Sequence, residues 1–256
     1  MRFWDVRFLM RLSMLLTVLV TCSAPQLRAS DAVETGVPKK PSAIVIGFVG
    51  GFVQHDNPHH GPVQFAERLR QIETNGVYVR VFENRHRKAA YRTILKQLDR
   101  DGNGILSPDE KAQARIVLYG QSWGASAAVI LARDLNQLGI PVLLTVQIDS
   151  VAKFWQQDKI IPPNVAAAVN FYQPHGFVHG RAEIKAADPS RTQVLGNYRF
   201  DYKQTPVKCE GYSWRDRNLT HNHMEIECDP RVWAQVEELV RQRLEAPNAL
   251  AANPGQ

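Results

Sequence analysis

The sequence has few cysteines, no internal repeat and no long apolar run beyond its first residues. Three cysteines in 256 residues are too few for a disulfide scaffold, so a hydrophobic core has to hold the fold together. With 44% hydrophobic and 22% charged residues, the composition argues against a largely disordered, collagen-like or multi-span membrane protein. The length suits one α/β domain or two small domains.

The first thirty residues have the parts of a secretory signal peptide. Three arginines precede an apolar stretch over residues 12–20, and small and polar residues follow. The apolar stretch is too short to span a bilayer. We therefore expect a secreted or periplasmic protein, cleaved near Ala29 and without a transmembrane segment in its mature form. Acylation of Cys22, as in a lipoprotein, is the weaker alternative.

The excess of basic residues lies partly in this leader. The chain has 31 basic and 25 acidic residues, and residues 1–30 hold four of the basic ones and one acidic residue. The remainder therefore carries a net charge of only +3. It also has no dense run of Lys and Arg with interleaved aromatics, so we expect no nucleic-acid partner.

Two cysteines remain after the leader, Cys209 and Cys228. In an oxidising compartment an even pair is a candidate disulfide. The alternative is a pair of buried free thiols.

Short apolar runs alternate with amphipathic segments from residue 42 onwards. The predicted strands cover 42–47, 77–83, 115–120, 141–148 and 166–172, and the predicted helices cover 63–73, 88–98, 125–138 and 230–244. This alternation predicts an α/β fold with a mostly parallel sheet covered by helices on both faces. We expect a linker over 31–41, mostly loop with one strand near 197–202 in the segment 174–220, and a disordered tail over 247–256.

A serine stands at the end of the third predicted strand. Residues 120–124 read Gly-Gln-Ser-Trp-Gly, and a helix is predicted directly afterwards. A G-x-S-x-G motif between a strand and a helix is typical of a sharp turn that exposes a nucleophilic serine. The alternative is a serine that caps a helix after a strand.

On this motif and its context, residues 42–244 resemble the α/β-hydrolase family of serine esterases and lipases. The resemblance implies that Ser122 is the nucleophile and that the backbone N–H of Trp123 is one oxyanion donor. Residues 46–51, Ile-Gly-Phe-Val-Gly-Gly, look like the His-Gly-Phe-x-Gly stretch of many lipases, with isoleucine where histidine is common. This similarity makes the Phe48 N–H the candidate for the second donor, with Val49 as the alternative.

The resemblance also implies a histidine before the last helix and a carboxylate at a strand end. His223 fits the run H-x-x-I-x-x-D-P into the final helix better than His221 does. Asp149 ends the fourth predicted strand, and the chain order Ser122, Asp149, His223 is that of the family. The commoner position of the acid, one strand later, holds no carboxylate, and Asp188 is the alternative.

A calcium-binding loop is predicted over residues 99–110. All diagnostic positions of the twelve-residue EF-hand pattern are matched, including the glycine at position 6. The candidate ligands are Asp99, Asp101, Asn103, the carbonyl of Ile105, Ser107 and Glu110. Because the loop precedes the strand that leads to Ser122, it should lie roughly 20 Å from the serine, which predicts a structural metal. The alternative is an Asp/Gly-rich turn without a metal.

Together these features predict an exported serine hydrolase that cleaves an ester or related acyl bond in a small-molecule or lipid-like substrate. We expect structural calcium and no organic cofactor. Two alternatives remain: a catalytically silent fold that acts as a calcium-dependent binding protein, and a thioesterase or acyltransferase with the same residues. The oligomeric state is left open.

Overall fold

The structure is a computed structural model that describes residues 41–72, 76–212 and 220–245. The expected leader over 1–30, Cys22, nearly all of the linker and the tail over 247–256 lie outside these ranges. None of the helices within them is long and apolar enough to cross a membrane.

The described residues form strands and helices in alternation. The strands are β1 (Ala43–Val49), β2 (Val77–Glu83), β3 (Ile116–Gln121), β4 (Val142–Ile148), β5 (Ile160–Ile161), β6 (Val165–Tyr172), β7 (Lys185–Ala186) and β8 (Gln193–Arg199). The α-helices are α1 (Gly61–Ile72), α2 (Arg87–Leu98), α3 (Pro108–Ala112), α4 (Trp123–Asn136), α5 (His221–Cys228) and α6 (Pro230–Glu245). A 3₁₀ turn over Asn84–His86 joins β2 to α2.

Six strands form one sheet in the order β2-β1-β3-β4-β6-β8, and every pairing in it is parallel. Strands β1 and β3 are buried along their whole length, as their uninterrupted apolar sequences predict. The predicted α/β fold with a mostly parallel sheet is confirmed. Strands β5 and β7 form a separate two-stranded sheet.

Helices cover both faces of the sheet, as predicted. On one face Ile46 and Leu118 belong to a buried cluster that also contains residues of α2 and α4. On the other face Val45 and Val117 pack in a cluster with residues of α1 and α6. Each fully buried aliphatic side chain of this kind stabilises the fold by about 1.5–3 kcal/mol. The rigid sheet therefore fixes where its strands end, and the candidate site lies at those ends.

Strand β1, strand β8 and helix α5 differ from the prediction. Strand β1 continues to Val49, two residues further than expected, because it pairs with β2 as far as Glu83. Strand β8 covers Gln193–Arg199 instead of a segment near 197–202. Helix α5 was not predicted, because residues 223–227 are all buried and show no single apolar stripe.

Candidate active site

Ser122 lies in a sharp turn between β3 and α4. Its backbone has φ 55° and ψ −125°, a left-handed conformation that non-glycine residues rarely adopt. One backbone bond, from Ser122 N to the carbonyl of Ile148, holds this turn to β4, and a second, from Val151 N to the carbonyl of Ser122, holds it to the loop after β4. The strained turn places the serine at the carboxyl edge of the sheet and at the start of α4. The first N–H groups of that helix, beginning with Trp123, have no acceptor within the helix.

The two glycines of the motif are required by close backbone approach. A Cβ on Gly120 would lie 2.4 Å from the carbonyl group of Gly124, and a Cβ on Gly124 would lie 2.3 Å from the carbonyl oxygen of Phe48. Real Cβ contacts are never this short, so larger residues would push α4 away from β1 and β3. The tight packing of this turn therefore requires glycine at both glycine positions of the motif.

His223 and Asp149 form a buried pair at the same edge. The distance from His223 Nδ1 to Asp149 Oδ2 is 2.6 Å, and both side chains are almost fully inaccessible to solvent. The ring is brought there by α5, while Asp149 follows β4 directly. Because this hydrogen bond needs a donor at Nδ1, the ring proton lies on that nitrogen, and Nε2 of the neutral ring keeps its lone pair.

Three further donors hold the Asp149 carboxylate. Oδ1 accepts from the backbone N–H of Gln173 at 3.0 Å and from that of Gly180 at 2.8 Å. Oδ2 accepts from the Gln173 side-chain amide at 2.9 Å in addition to His223. The four hydrogen bonds fix the position and orientation of the carboxylate behind the histidine ring. Gln173 directly follows β6 and orients Asp149 through both its backbone N–H and its side-chain amide.

The other nitrogen of His223 faces Gln121, the residue before the serine. The distance from Gln121 Nε2 to His223 Nε2 is 3.1 Å, and Gln121 is buried. Among the described residues no hydrogen bond of the Ser122 hydroxyl is present. The Gln121 amide therefore donates to the Nε2 lone pair that would have to accept the proton of the Ser122 hydroxyl. Contacts between a nucleophile and its base are often long in structures without substrate.

Helix α5 is anchored at several points around His223. The predicted disulfide between Cys209 and Cys228 is confirmed, with a Cα–Cα distance of 5.7 Å. On the same helix Glu227 accepts from His60 Nδ1 at 2.8 Å, and both side chains are buried. Glu225, also buried, accepts from the backbone N–H of Val207 at 2.9 Å. Covalent and hydrogen-bonded restraints together hold the helix that carries the histidine.

The loop after β1 passes beside the serine. A Cβ on Gly50 would lie 2.9 Å from Ser122 Cβ. The buried amide of Asn84 donates to the carbonyl oxygens of Val49 and Gly51, at 3.3 and 2.6 Å, and so fixes the path of this loop. Phe48 lies one residue before the end of β1, between Phe82 and Gly120 of the adjacent strands. The expected second donor is thus part of the sheet rather than of the loop.

Two alternative residues lie away from this pair. Asp188 precedes β8, which places it at the amino edge of the sheet, and its carboxylate accepts from Ser190. The Ser190 hydroxyl and N–H hold the pKa of Asp188 below its usual value. His221 is exposed, and its Nε2 lies 3.5 Å from Glu225 Oε2. The histidine that contacts Asp149 is His223.

The acidic side chains of the 99–110 loop converge. Ligand oxygens of Asp99, Asp101 and Glu110 lie within 4.8 Å of one another. Asp99 accepts from two backbone N–H groups of the loop, and Ser107 caps α3 in a capping box with Glu110. Backbone donation from Ser107 and then from Arg100 lowers the pKa of Glu110 to about 2. The helix that leaves this loop is the five-residue α3.

Sequence reasoning missed the residues that support the pair. Gln173, Gly180 and Asn84 lie after strands or in loops and match no motif, and Gln121 is one of the variable positions of the G-x-S-x-G motif. Their position in the chain could have identified them, because polar residues that directly follow buried parallel strands meet at one edge of the sheet.

No family model matches the chain, and no curated protein matches it. Several solved structures are similar to it at a distance. The carboxylesterase EstE1 from a metagenomic library has 13% identity and a TM-score of 0.44, with coverage of 82% of this chain and 83% of that chain. A cutinase-like protein from Cryptococcus sp. has 11% identity and a TM-score of 0.42, with 79% and 95% coverage. The RedJ thioesterase from Streptomyces coelicolor has 12% identity and a TM-score of 0.35, with 72% and 86% coverage.

Proposed function

We propose that this protein is a serine hydrolase of the α/β-hydrolase type that cleaves an ester or related acyl bond. The observation that carries the proposal is the buried His223–Asp149 pair, at 2.6 Å, at the same sheet edge as the strained Ser122 turn. A structural role alone does not account for a strained serine at the sheet edge where a buried histidine pairs with a carboxylate.

In the proposed reaction the Ser122 hydroxyl attacks the substrate carbonyl. His223 Nε2 accepts the hydroxyl proton and later donates it to the leaving alcohol, while Asp149 stabilises the charged ring. For this step the Gln121 amide has to release Nε2 to the serine. Water then attacks the acyl-enzyme and gives its proton to His223, which passes it to the Ser122 oxygen as that oxygen leaves. This step frees the acid and restores the serine.

The oxyanion would be held by two backbone N–H groups. Trp123, at the start of α4, would supply the first, as the resemblance implies. For the second we propose Gly51 in place of Phe48. Phe48 lies within β1, whereas Gly51 follows Gly50, which passes beside Ser122, and the Gly51 carbonyl is held by Asn84.

We also propose that the 99–110 loop binds calcium. The convergence of three carboxylates supports this, and hard oxygen ligands at this spacing suit Ca²⁺. The loop lies between α2 and α3, before β3, and hence at the sheet edge opposite Ser122. Calcium there would stabilise the entry into β3 and would take no part in the reaction. Export of the protein would provide both millimolar calcium and the oxidising conditions that suit the Cys209–Cys228 bridge.

One observation favours a second candidate, a catalytically silent binding protein. The contact between Gln121 and His223 leaves the Ser122 hydroxyl without its base. A panel of p-nitrophenyl esters of increasing chain length, with thioesters in parallel, decides between the candidates. Turnover that disappears in Ser122→Ala supports the hydrolase. A folded protein that hydrolyses none of them and is not labelled by a fluorophosphonate supports the binding protein.

Export is tested by cell fractionation of the full chain. Recovery outside the cytoplasm of a product shortened near residue 30 would support the signal peptide. Recovery of the full-length chain in the cytoplasm would contradict it.

A further inference from the structure

A second buried carboxylate lies behind the proposed site, and the reaction as proposed makes no use of it. Asp158 stands in the loop between β4 and β5 and is fully inaccessible to solvent. Its Oδ2 accepts from the Ser150 hydroxyl at 2.5 Å, and its Oδ1 accepts from Nε of Arg181. The Gln147 side-chain amide donates to the Asp158 backbone carbonyl at 3.1 Å and so ties the loop to β4. A fully buried carboxylate needs such partners, and it holds the segments that carry them close together.

Both side chains that Asp158 holds lie next to Asp149 or to one of its donors. Ser150 directly follows Asp149 in the chain. Arg181 directly follows Gly180, whose N–H donates to Asp149 Oδ1 at 2.8 Å. A backbone bond of 3.0 Å from Arg181 N to the Ser150 carbonyl joins the same two segments. Asp158 therefore forms a bridge between the segment that carries Asp149 and the loop that orients its carboxylate.

The backbone of Asp149 is strained and depends on such a bridge. Its φ of 44° lies in the left-handed region, and apart from Ser122 no other non-glycine residue of the described ranges has a positive φ. A residue keeps a strained conformation only where its surroundings over-determine it. The packing is close here, since a Cβ on Gly180 would lie 2.4 Å from the carbonyl carbon of Asp149. A shift of either bridged segment would therefore move the carboxylate relative to the His223 ring.

We infer that Asp158 is a positioning residue that acts through Ser150 and Arg181 to hold the Asp149 carboxylate in place behind His223. An ion pair with a structural role alone would contribute to stability and to nothing else. A positioning residue also affects the bond between Asp149 and His223, and with it the rate of the chemical step. The statement about rate rests on the proposed function, whereas the bond itself can be observed without turnover.

Two substitutions of Asp158 separate its hydrogen bonds from its charge. Asp158→Ala removes both side-chain bonds. In Asp158→Asn the amide oxygen still accepts from Arg181, and the NH₂ group donates to the Ser150 oxygen, because a hydroxyl can reverse its role. Asparagine therefore keeps the bridge and loses the charge. The matched control is Asp134→Ala, which removes the carboxylate of another ion pair, with Arg87 at 2.7 Å, near the C-terminal end of α4.

Hydrolysis of a soluble p-nitrophenyl ester gives kcat and KM, and urea denaturation gives the stability of the same variants. We expect Asp158→Ala to lower kcat at least about tenfold with little change in KM, because the acid behind the base is misplaced while the substrate cleft is not. Asp158→Asn should recover most of this loss, and Asp134→Ala should keep the kcat of the parent. If Asp158→Ala does not fold, as judged by circular dichroism, Ser150→Ala takes its place, since it breaks the bridge and leaves the ion pair with Arg181. A bridge variant that is less stable but keeps the kcat of the parent overturns the inference, as does Asp158→Asn with the kcat of Asp158→Ala.

A measurement without turnover separates this inference from the proposed function. The proton between His223 Nδ1 and Asp149 should give a downfield proton NMR signal, assigned by its loss in Asp149→Asn. Asp158→Ala should shift this signal, and Asp134→Ala should leave it in place. An unchanged signal in Asp158→Ala overturns the inference, even in a protein that hydrolyses no ester. A parent that neither hydrolyses esters nor reacts with a fluorophosphonate, but whose signal shifts in Asp158→Ala, contradicts the proposed function and supports the positioning of Asp149.

Discussion

Replacement of Asp149 by asparagine should disable the histidine while leaving the shape of the site intact. The carboxylate accepts four hydrogen bonds, two at each oxygen. Asparagine has to present an NH₂ group to one of these pairs of donors. The pair at Oδ1 consists of backbone N–H groups, from Gln173 and Gly180, which cannot reverse their role. The NH₂ group therefore turns towards His223, whose Nδ1 must become the acceptor.

The expected magnitude follows from this forced change of tautomer. With the proton on Nε2, His223 has no lone pair for the Ser122 proton. Loss of the correct tautomer in a serine–histidine–aspartate site lowers kcat by about 10⁴-fold. This factor corresponds to about 5.5 kcal/mol of lost transition-state stabilisation.

The assay is the hydrolysis of a soluble p-nitrophenyl ester, measured as kcat and KM separately. Asp149→Asn should lower kcat and leave KM within a few-fold, because the change lies behind the histidine and not in the substrate cleft. Asp188→Asn is the control and should have no effect. Activity of Asp149→Asn within about tenfold of the parent would refute the role of the pair, as would a large loss in Asp188→Asn.

Four further predictions concern the disulfide, the loop after β1 and the 99–110 loop. Replacement of both Cys209 and Cys228 by serine should lower the unfolding free energy by about 3 kcal/mol for a loop of this length, measured by urea denaturation; an unchanged midpoint would contradict the restraint on α5. Asn84→Ala should lower kcat/KM by about tenfold by releasing the loop at 49–51, and an unchanged rate would show that the loop needs no such anchor. Glu110→Gln should abolish a calcium-dependent rise in Tm, with Asp109→Asn as the control that keeps it; a chelator that leaves the parent's Tm unchanged would argue against the metal. Because the pKa of Glu110 is lowered to about 2 in the folded state, its contribution to stability should be present above the unfolded value of 4.5 and lost as the pH falls towards 2 in calcium-free buffer.

Much of the framework could be predicted because it depends on local sequence patterns. Buried parallel strands have continuous apolar runs, and the order of strands and helices followed from their alternation. The strand-end position of Asp149 and the G-x-S-x-G turn around Ser122 were visible for the same reason. The resemblance of the run H-x-x-I-x-x-D-P before the final helix then favoured His223, which the fold brings to Asp149.

The remaining parts depend on contacts between distant segments. Gln173 and Gly180 donate to Asp149 only because the loop after β6 returns to the end of β4. Helix α5 buries two glutamates that find partners far away in sequence, so its pattern does not look amphipathic. The end of β1, which moves Phe48 into the sheet, is set by its pairing with β2 and β3.

The most direct test of the serine hydrolase is covalent labelling of the folded, calcium-loaded protein with a fluorophosphonate, followed by intact mass and peptide mapping. We predict a single adduct on Ser122, no adduct in Ser122→Ala and much slower labelling in Asp149→Asn. Folded protein that forms no adduct, or an adduct on another residue, would contradict the account.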